Sequence, residues 1–280
     1  MSTTVYRKVD PTLGGLIAQI NQGDIGLPDL QRPFVWPNVK VRNLFDSMYR
    51  GFPVGYLLFW EPAEVTGARG IGDQTHQKSA RLLIVDGQQR LTSLYAVMTG
   101  VKVVDKNFVS RTIEIAFDPL SEKFEVADAA IRRDIRYISN ISQIWAPDAD
   151  IFAIATDYIE RLNAAQELSP EDERKIQRAI MRLNQLISYP FTALELSSAV
   201  DEEQVAEVFV RINSEGKKLN QSDFILTLMS VSADDARAAL EAFCRAARQP
   251  STTGPSPYNP FITPDPDQLL RVSVGVAFRR

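Results

Sequence analysis

The fold of this chain is decided by residues 82–94, which read Leu82-Leu83-Ile84-Val85-Asp86-Gly87-Gln88-Gln89-Arg90-Leu91-Thr92-Ser93-Leu94. The apolar run at the start is typical of a buried strand. Beyond Gly87 the apolar residues recur instead with the spacing of one helical face, at Leu91, Leu94, Tyr95 and Met98. The sequence therefore predicts a strand over 81–85, a tight turn, and a helix from about Gln88 to Thr99 that ends at Gly100.

The predicted turn, residues 86–90, is a candidate site for phosphate. The first amides of a helix lack partners within the helix, and the helix dipole places partial positive charge there. Gly87 lets a ligand approach the backbone, and Arg90 adds a guanidinium that binds phosphate oxygens. Gln88 and Gln89 supply neutral donors and acceptors, and Asp86 is able to hold Mg²⁺ or to orient a water. The competing interpretation is that Asp86 caps the helix and Arg90 is solvated surface.

A second candidate segment reads Leu27-Pro28-Asp29-Leu30-Gln31-Arg32-Pro33-Phe34-Val35-Trp36-Pro37. Its prolines stiffen the chain, and Pro33 favours an extended conformation at Arg32. A rigid loop that presents Gln31 and Arg32 beside aromatic rings offers ring faces for a base and a guanidinium for phosphate. The alternative is a structural loop in which Trp36 fills the core.

A third candidate segment reads Val208-Phe209-Val210-Arg211-Ile212-Asn213-Ser214-Glu215-Gly216-Lys217-Lys218-Leu219. Arg211 lies on the flank of an apolar helical stripe, and Asn213 lies at the end of that helix. An arginine and an amide at one end of a helix are able to reach phosphate or a metal-bound water. The alternative is an ordinary helix C-terminus, where cations are favoured and Asn213 and Gly216 make the turn.

The remaining pattern predicts an α+β fold, with a mixed sheet and flanking helices at the front and a mainly helical region behind. Apolar stripes predict helices around residues 13–20, 41–48 and 205–212. Strands are predicted over 54–60 and 191–196, and a hairpin over 112–117 and 123–126. Ser169 and Pro170 are residue types that begin a helix.

We expect four segments in this organisation. Residues 1–126 form a nucleotide-binding core, 127–188 a helical insertion, 189–230 the remainder of the core with the third segment, and 231–280 a helical segment. The last of these contains a linker rich in proline, serine and threonine over 249–266. Residues 267–280 resemble the opening of a helix that stops without a cap, so we expect the chain to be a piece or a short version of something longer.

Composition argues against several classes of protein. With 280 residues, 45% of them hydrophobic, the chain is able to bury a core without disulfides. Its formal net charge of −4 lacks the basic field of non-specific nucleic-acid binders. A single histidine, His76, and a single cysteine, Cys244, argue against histidine-dependent metal nucleases and Ser-His-Asp or Cys-His hydrolases. The apolar runs are too short to span a bilayer and the N-terminus lacks a signal peptide, which predicts a soluble, cytoplasmic protein.

Together the three segments resemble a known family. Q-R-P-x-x-W, then V-D-G-Q-Q-R-L-T-S-L, then F-V-R-I-N-x-x-G-x-x-L, in this order, are similar to the N-terminal domain of GmrSD-type restriction endonucleases, also described as domain of unknown function 262. The resemblance covers roughly residues 10–230. It implies a fold similar to that of ParB and sulfiredoxin, in which a strand-loop-helix turn binds nucleotide phosphates.

The resemblance also implies an activity and a set of site residues. Members of the family hydrolyse nucleoside triphosphates and serve in defence against foreign, often modified, DNA. The predicted catalytic residues are Asp86, Gln88, Gln89 and Arg90, with Asp86 as the candidate Mg²⁺ ligand. The predicted substrate-binding residues are Gln31, Arg32, Gly87, Thr92, Ser93, Arg211 and Asn213.

One departure from the family limits the expected function. Many relatives carry a C-terminal HNH-type nuclease domain rich in histidine and asparagine, and this chain has no such segment. We therefore expect that the chain does not cut DNA on its own. Two functions stay open: a triphosphatase that drives or licenses a nuclease on another domain or subunit, and a module that senses nucleotide or modified DNA without turnover.

Overall fold

The computed structural model describes residues 4–28, 34–63, 68–69, 80–105, 109–213, 234–251 and 254–277. The α-helices are α1 (Leu13–Asn21), α2 (Asn38–Tyr49), α3 (Gln88–Thr99), α4 (Ile151–Asn163), α5 (Pro170–Asn184), α6 (Glu202–Asn213), α7 (Asp234–Ala246) and α8 (Pro266–Ala277). The strands are β1 (Tyr6–Val9), β2 (Ile25–Pro28), β3 (Leu57–Trp60), β4 (Ala68–Arg69), β5 (Leu82–Asp86), β6 (Val103–Val104), β7 (Ser110–Arg111), β8 (Ile115–Asp118), β9 (Lys123–Val126) and β10 (Ala193–Leu196).

A mixed sheet in the order β1-β10-β3-β5-β2-β4 forms the centre of the fold. β10 pairs parallel to β3 and β2 pairs parallel to β5, whereas β3 and β5 are antiparallel to each other. In that antiparallel pair Asp86 lies opposite Leu58, and the register shifts between Leu58 and Phe59. The α+β fold with a mixed sheet and flanking helices is therefore confirmed, with β5 inside the sheet as the apolar run predicts.

The two faces of the sheet are both covered, which explains the continuous apolar runs in its central strands. Leu57, Phe59, Leu82 and Ile84 belong to the main core, which also includes buried residues of α1, α2 and α3. Leu58 and Leu83, which alternate with them, join a second cluster that includes Val205 of α6. Consequently α3 and α6 lie on opposite faces of the sheet, because alternate residues of a strand point to opposite sides.

The predicted helices are confirmed, and so are the residue types that mark the end of α3 and the beginning of α5. The α3 helix begins at Gln88 and ends at Thr99, and Gly100 is its left-handed C-cap. Ser169 caps α5 in a capping box with Asp172, and Pro170 is the first residue of that helix. The region 127–188 holds α4, α5 and three short 3-10 helices, as its composition indicates.

Several strand predictions need correction. β3 begins at Leu57 rather than at residue 54, because Gly55 before it has a left-handed backbone with φ +88°. The first hairpin strand begins at Ile115 rather than at residue 112, and it pairs with β9 in a separate two-stranded sheet. The short strands β1, β2 and β4 of the sheet and the pair β6–β7 were not predicted, because they are too short to show a clear alternation of polar and apolar residues.

The C-terminal part is helical, as the sequence predicts. The described residues of the linker, 254–265, contain no helix or strand, and α8 follows at Pro266. Over the described ranges, none of the helices combines the length and apolar character that crossing a bilayer needs.

Candidate functional site

The turn at residues 86–90 is built where β5 leaves the sheet and α3 begins. Asp86 is the last residue of β5, and Gly87 is the N-cap of α3 with φ +92° and ψ +7°. The N–H of Leu91 donates to the carbonyl of Gly87 at 2.9 Å, which starts the helical hydrogen-bond ladder. Within the part of the chain that the structure describes, no side chain caps this helix. The interpretation in which Asp86 caps α3 is therefore wrong, and the first amides of α3 are left to a ligand or to water.

Gly87 is required by packing as well as by its backbone. A Cβ at this position would overlap Cδ2 of Leu57, which is fully buried, and would lie 3.2 Å from Nη1 of Arg90. Gly55 also contacts the guanidinium of Arg90, since a Cβ at Gly55 would lie 3.0 Å from Nη2 of Arg90. Two glycines with left-handed backbones therefore make the space in which the Arg90 guanidinium lies.

The guanidinium of Arg90 is held in that space by a backbone carbonyl. Nη1 donates to the carbonyl oxygen of Tyr56 at 2.7 Å. Burial lowers the pKa of Arg90, and the nearby Asp86 carboxylate partly offsets this. Arg90 is half-buried rather than solvated surface, so the second part of the competing interpretation is also wrong. A fixed, partly desolvated guanidinium has four further N–H donors for an anion.

Asp86 is the acidic member of the turn. Burial raises the pKa of its carboxyl, while Arg90 and the backbone N–H of Gly87 act in the opposite direction. The Asp86 charge also acts on Tyr56. The pKa of the Tyr56 hydroxyl is raised mainly by burial and, in second place, by the Asp86 carboxylate. A carboxyl with a raised pKa lies closer to neutral pH, where a general base works best.

Gln89 connects the turn to the second candidate segment. The N–H of Val35 donates to Oε1 of Gln89 at 3.0 Å, across 54 positions of sequence. Phe34, next to it, is buried in the main core and its N–H donates to the carbonyl of Val104 at 2.9 Å. Trp36 packs against the same core, as the structural alternative for this loop proposes. The structure thus brings the end of the second segment to the first turn of α3.

The two hydroxyl residues of the motif differ in their surroundings. Ser93 is fully buried, and its Oγ donates to the carbonyl of Gln89 at 2.6 Å. Oγ1 of Thr92 is buried and has no hydrogen-bond partner among the described residues. Ser93 therefore stabilises the first turn of α3, and the roles of both residues in substrate binding stay predictions.

The other predicted site residues are not brought to the turn by any described contact. Gln31 and Arg32 lie outside the described residues, as does His76. Arg211 is exposed on α6 and pairs with Glu207 of the same helix. Asn213 is the last residue of α6, and its side chain lies outside the description.

Three residues of this site were missed by the sequence analysis. Gly55 and Tyr56 contact Arg90 from the segment before β3. Tyr189 contributes to the electrostatic environment of Arg90. The Tyr189 hydroxyl donates to the carbonyl of Phe52 at 2.7 Å. The signal for the first two was a glycine directly before an apolar strand, which often marks a close approach of another group. Tyr189 carried no local signal.

Carboxylates for a metal ion are few at this turn. Among the described residues, no three or more His, Cys, Asp or Glu side chains come together in an arrangement able to hold a metal. Asp86 by itself fits Mg²⁺ that arrives with a triphosphate, because Mg²⁺ keeps several waters and takes one or two carboxylates besides the substrate phosphates.

Replacing Asp86 by asparagine is expected to stabilise the protein at neutral pH. Burial raises the pKa of Asp86 in the folded protein above its unfolded value of about 3.9. The protonated carboxyl therefore favours folding, and this contribution is fully present below the unfolded pKa. It is lost as the pH rises through the folded pKa, because the ionised carboxylate is the form that burial disfavours. Asparagine imitates the protonated form at every pH. Urea unfolding of both proteins should show a stability difference that grows as the pH rises above about 4. A wild type that becomes more stable relative to the variant as the pH rises would contradict this prediction.

Comparison with known proteins extends the resemblance seen in the sequence. The family described as GmrSD restriction endonuclease, N-terminal domain, matches residues 13–230. An uncharacterized protein of Methanocaldococcus jannaschii is 25% identical over 235 residues, which cover 75% of this chain. The chain spans about 40% of the length of that relative. All three candidate segments lie inside the matched range.

Proposed function

Because the chain belongs to the GmrSD restriction endonuclease N-terminal domain family, we propose that it binds and hydrolyses a nucleoside triphosphate as part of a restriction or anti-phage defence system. The observation that carries the proposal is the Arg90 guanidinium. It is fixed between Gly55 and Gly87 at the uncapped N-terminus of α3. A charged fork beside free helical amides is an arrangement that binds phosphate.

In this proposal each residue of the turn has a separate task. The first amides of α3 and the free N–H groups of Arg90 bind phosphate oxygens, as backbone donors and guanidinium groups do in other phosphate sites. Gly87 keeps the backbone open to the ligand. Asp86 receives the Mg²⁺ that accompanies the triphosphate or accepts a proton from the attacking water. Gln88 and Gln89 are neutral groups that orient that water.

The partner of this domain follows from the same premise. The family name joins the domain to a restriction endonuclease, and we propose that a nuclease domain or subunit responds to nucleotide binding here. The strand-turn-helix geometry of β5 and α3 supports the further proposal of a fold similar to ParB and sulfiredoxin. A module that senses nucleotide or modified DNA without turnover is the other outcome of the following test.

Release of inorganic phosphate tests the proposal. Purified protein is incubated with Mg²⁺ and each of the common triphosphates, with and without modified and unmodified DNA. We expect release above background for at least one nucleotide and a loss of about 100-fold or more for Asp86→Asn, the range that removal of a catalytic acid–base group covers. Urea unfolding of the same Asp86→Asn preparation shows whether it is folded under the assay conditions, so that a loss of activity is separated from a loss of structure.

Arg50→Ala is the matched control for this assay. Arg50 is exposed after the end of α2 and pairs with Asp46, and none of the described contacts joins it to the turn. Its variant should release phosphate at the wild-type rate. Triphosphate binding without release, measured by calorimetric titration, identifies a sensing module. A protein that binds neither a triphosphate nor modified DNA refutes both functions.

A further inference from the structure

The segment of residues 34–38, which leads into α2 and is called here the anchored loop, is fixed at one side by Arg111 of β7. Nη1 of Arg111 donates to Oδ1 of Asn38 at 2.6 Å, and Nη2 donates to the carbonyl of Trp36 at 3.3 Å. Its guanidinium carbon lies 5.3 Å from the centre of the Phe34 ring. One half-buried arginine therefore contacts the beginning, the middle and the end of this loop.

The other side of the anchored loop is fixed by the turn itself. The N–H of Val35 donates to Oε1 of Gln89, in the first turn of α3 and next to Arg90. Phe34 is bridged to Asp105, beyond the end of β6, which pairs with β7. Arg111 and Gln89 thus bind neighbouring residues of the same loop from two different elements.

We infer that Arg111 is a positioning residue of the proposed nucleotide site, which acts by holding the anchored loop against the first turn of α3. Arg111 belongs to none of the three candidate segments, and its role is visible only in the contacts that it makes. The inference rests on the proposed function, because it assigns Arg111 to the same site.

Two features of the loop give this position a consequence for ligand binding. The hydrogen bond from the Val35 N–H occupies Oε1 of Gln89. This bond orients the N–H₂ group of the same side-chain amide, which is its hydrogen-bond donor. The candidate residues Gln31 and Arg32 lie three and two positions before Phe34 in the sequence, so the anchor fixes a point of the chain that is close to both of them in sequence. A loop released from Arg111 would lose both effects, and misplacement of binding groups by about 1 Å is enough to weaken a site.

The test compares the full-length chain with Arg111→Ala and Arg111→Lys. Hydrogen–deuterium exchange reports the loop directly, because the Val35 amide is protected only while it bonds Gln89. Equilibrium binding of the triphosphate that the wild type prefers reports the site. Arg132→Ala is the control, since Arg132 is an exposed arginine that pairs with Glu114.

We expect Arg111→Ala to raise exchange in residues 34–38 while residues 91–98 of α3 stay protected, and to weaken triphosphate binding by about 10- to 100-fold. Arg111→Lys, which keeps the charge but not the planar fork, should recover part of the affinity. Arg132→Ala should change neither measurement.

Three results would overturn the inference, and they differ in what they say of the proposed function. If the wild type binds triphosphate and Arg111→Ala binds it equally well, the inference is wrong while the function stands, whatever the exchange shows. If the wild type binds no triphosphate, the proposed function fails first and the inference fails with it. If exchange rises throughout α3 as well, the Arg111→Ala protein is generally unfolded, and the Arg111→Lys protein then provides the test. The positioning role of Arg111 is refuted if the Arg111→Lys protein keeps α3 protected, shows raised exchange in residues 34–38 and still binds triphosphate with the wild-type affinity.

Discussion

Replacing Gly87 by alanine should be among the most destabilising single changes in this protein. The residue has φ +92°, a region that costs an alanine about 1–2 kcal/mol. Its new Cβ would also overlap Cδ2 of Leu57, which is fully buried in β3 between β10 and β5. Overpacking of this kind adds about 1–3 kcal/mol. Denaturant unfolding should therefore show a total loss of about 2–5 kcal/mol.

Gly100→Ala is the matched control for this change. Gly100 ends the same helix with φ +71°, but among the described residues other than its chain neighbours nothing lies within 4 Å of the position that its Cβ would take. Its variant should show only the backbone cost of about 1–2 kcal/mol. Equal losses for the two variants would mean that the contact with Leu57 relaxes freely and that Gly87 is needed for its backbone alone.

Arg90→Ala should abolish most triphosphate binding. The change removes charge-assisted hydrogen bonds worth about 1.5–3 kcal/mol, or roughly 10- to 150-fold in affinity. It also leaves the carbonyl of Tyr56 without its donor, which should cost about 1–3 kcal/mol of stability. Calorimetric titration at a temperature where the variant is folded, as judged by circular dichroism, measures the first effect separately from the second.

Two further variants show which property of Arg90 matters. Arg90→Lys keeps a positive charge without the planar fork, so it should bind more weakly than wild type and more tightly than alanine. Arg50→Ala removes an exposed arginine and should leave the affinity unchanged. A folded Arg90→Ala protein that binds as tightly as wild type would show that Arg90 only fills the space beside Gly55.

The local structure around the turn was predictable because the residues there mark the ends of the strand and of the helix. An apolar run, Gly87 and a new apolar period give both ends of β5 and α3 to within one residue. The start of α5 was predictable for the same reason, from Ser169 and Pro170. The order of the sheet was not, because β10 begins at Ala193 and inserts between β1 and β3. Pairings between such distant residues leave no local pattern.

The composition of the site was only partly predictable. Asp86, Gly87 and Arg90 could be found from the types of residue that bind phosphate at a helix N-terminus. That Arg90 is half-buried could not, since this depends on Gly55 and Tyr56, more than 30 positions earlier in the chain. The hydrogen bond from Val35 to Gln89 is equally non-local. Local sequence shows which groups have the right chemistry, and tertiary contacts decide which of them meet.

The central claim is that the turn at residues 86–90 binds the phosphates of a nucleotide. Titration of ¹⁵N-labelled protein with Mg²⁺ and triphosphate, followed by amide resonances, tests it most directly. We predict that the largest shifts fall on the amides of Gly87, Gln88, Gln89 and Arg90 and that the Arg90→Ala protein needs roughly 10- to 150-fold more triphosphate to reach them. Saturable binding that shifts resonances elsewhere and leaves these four unchanged would contradict the account.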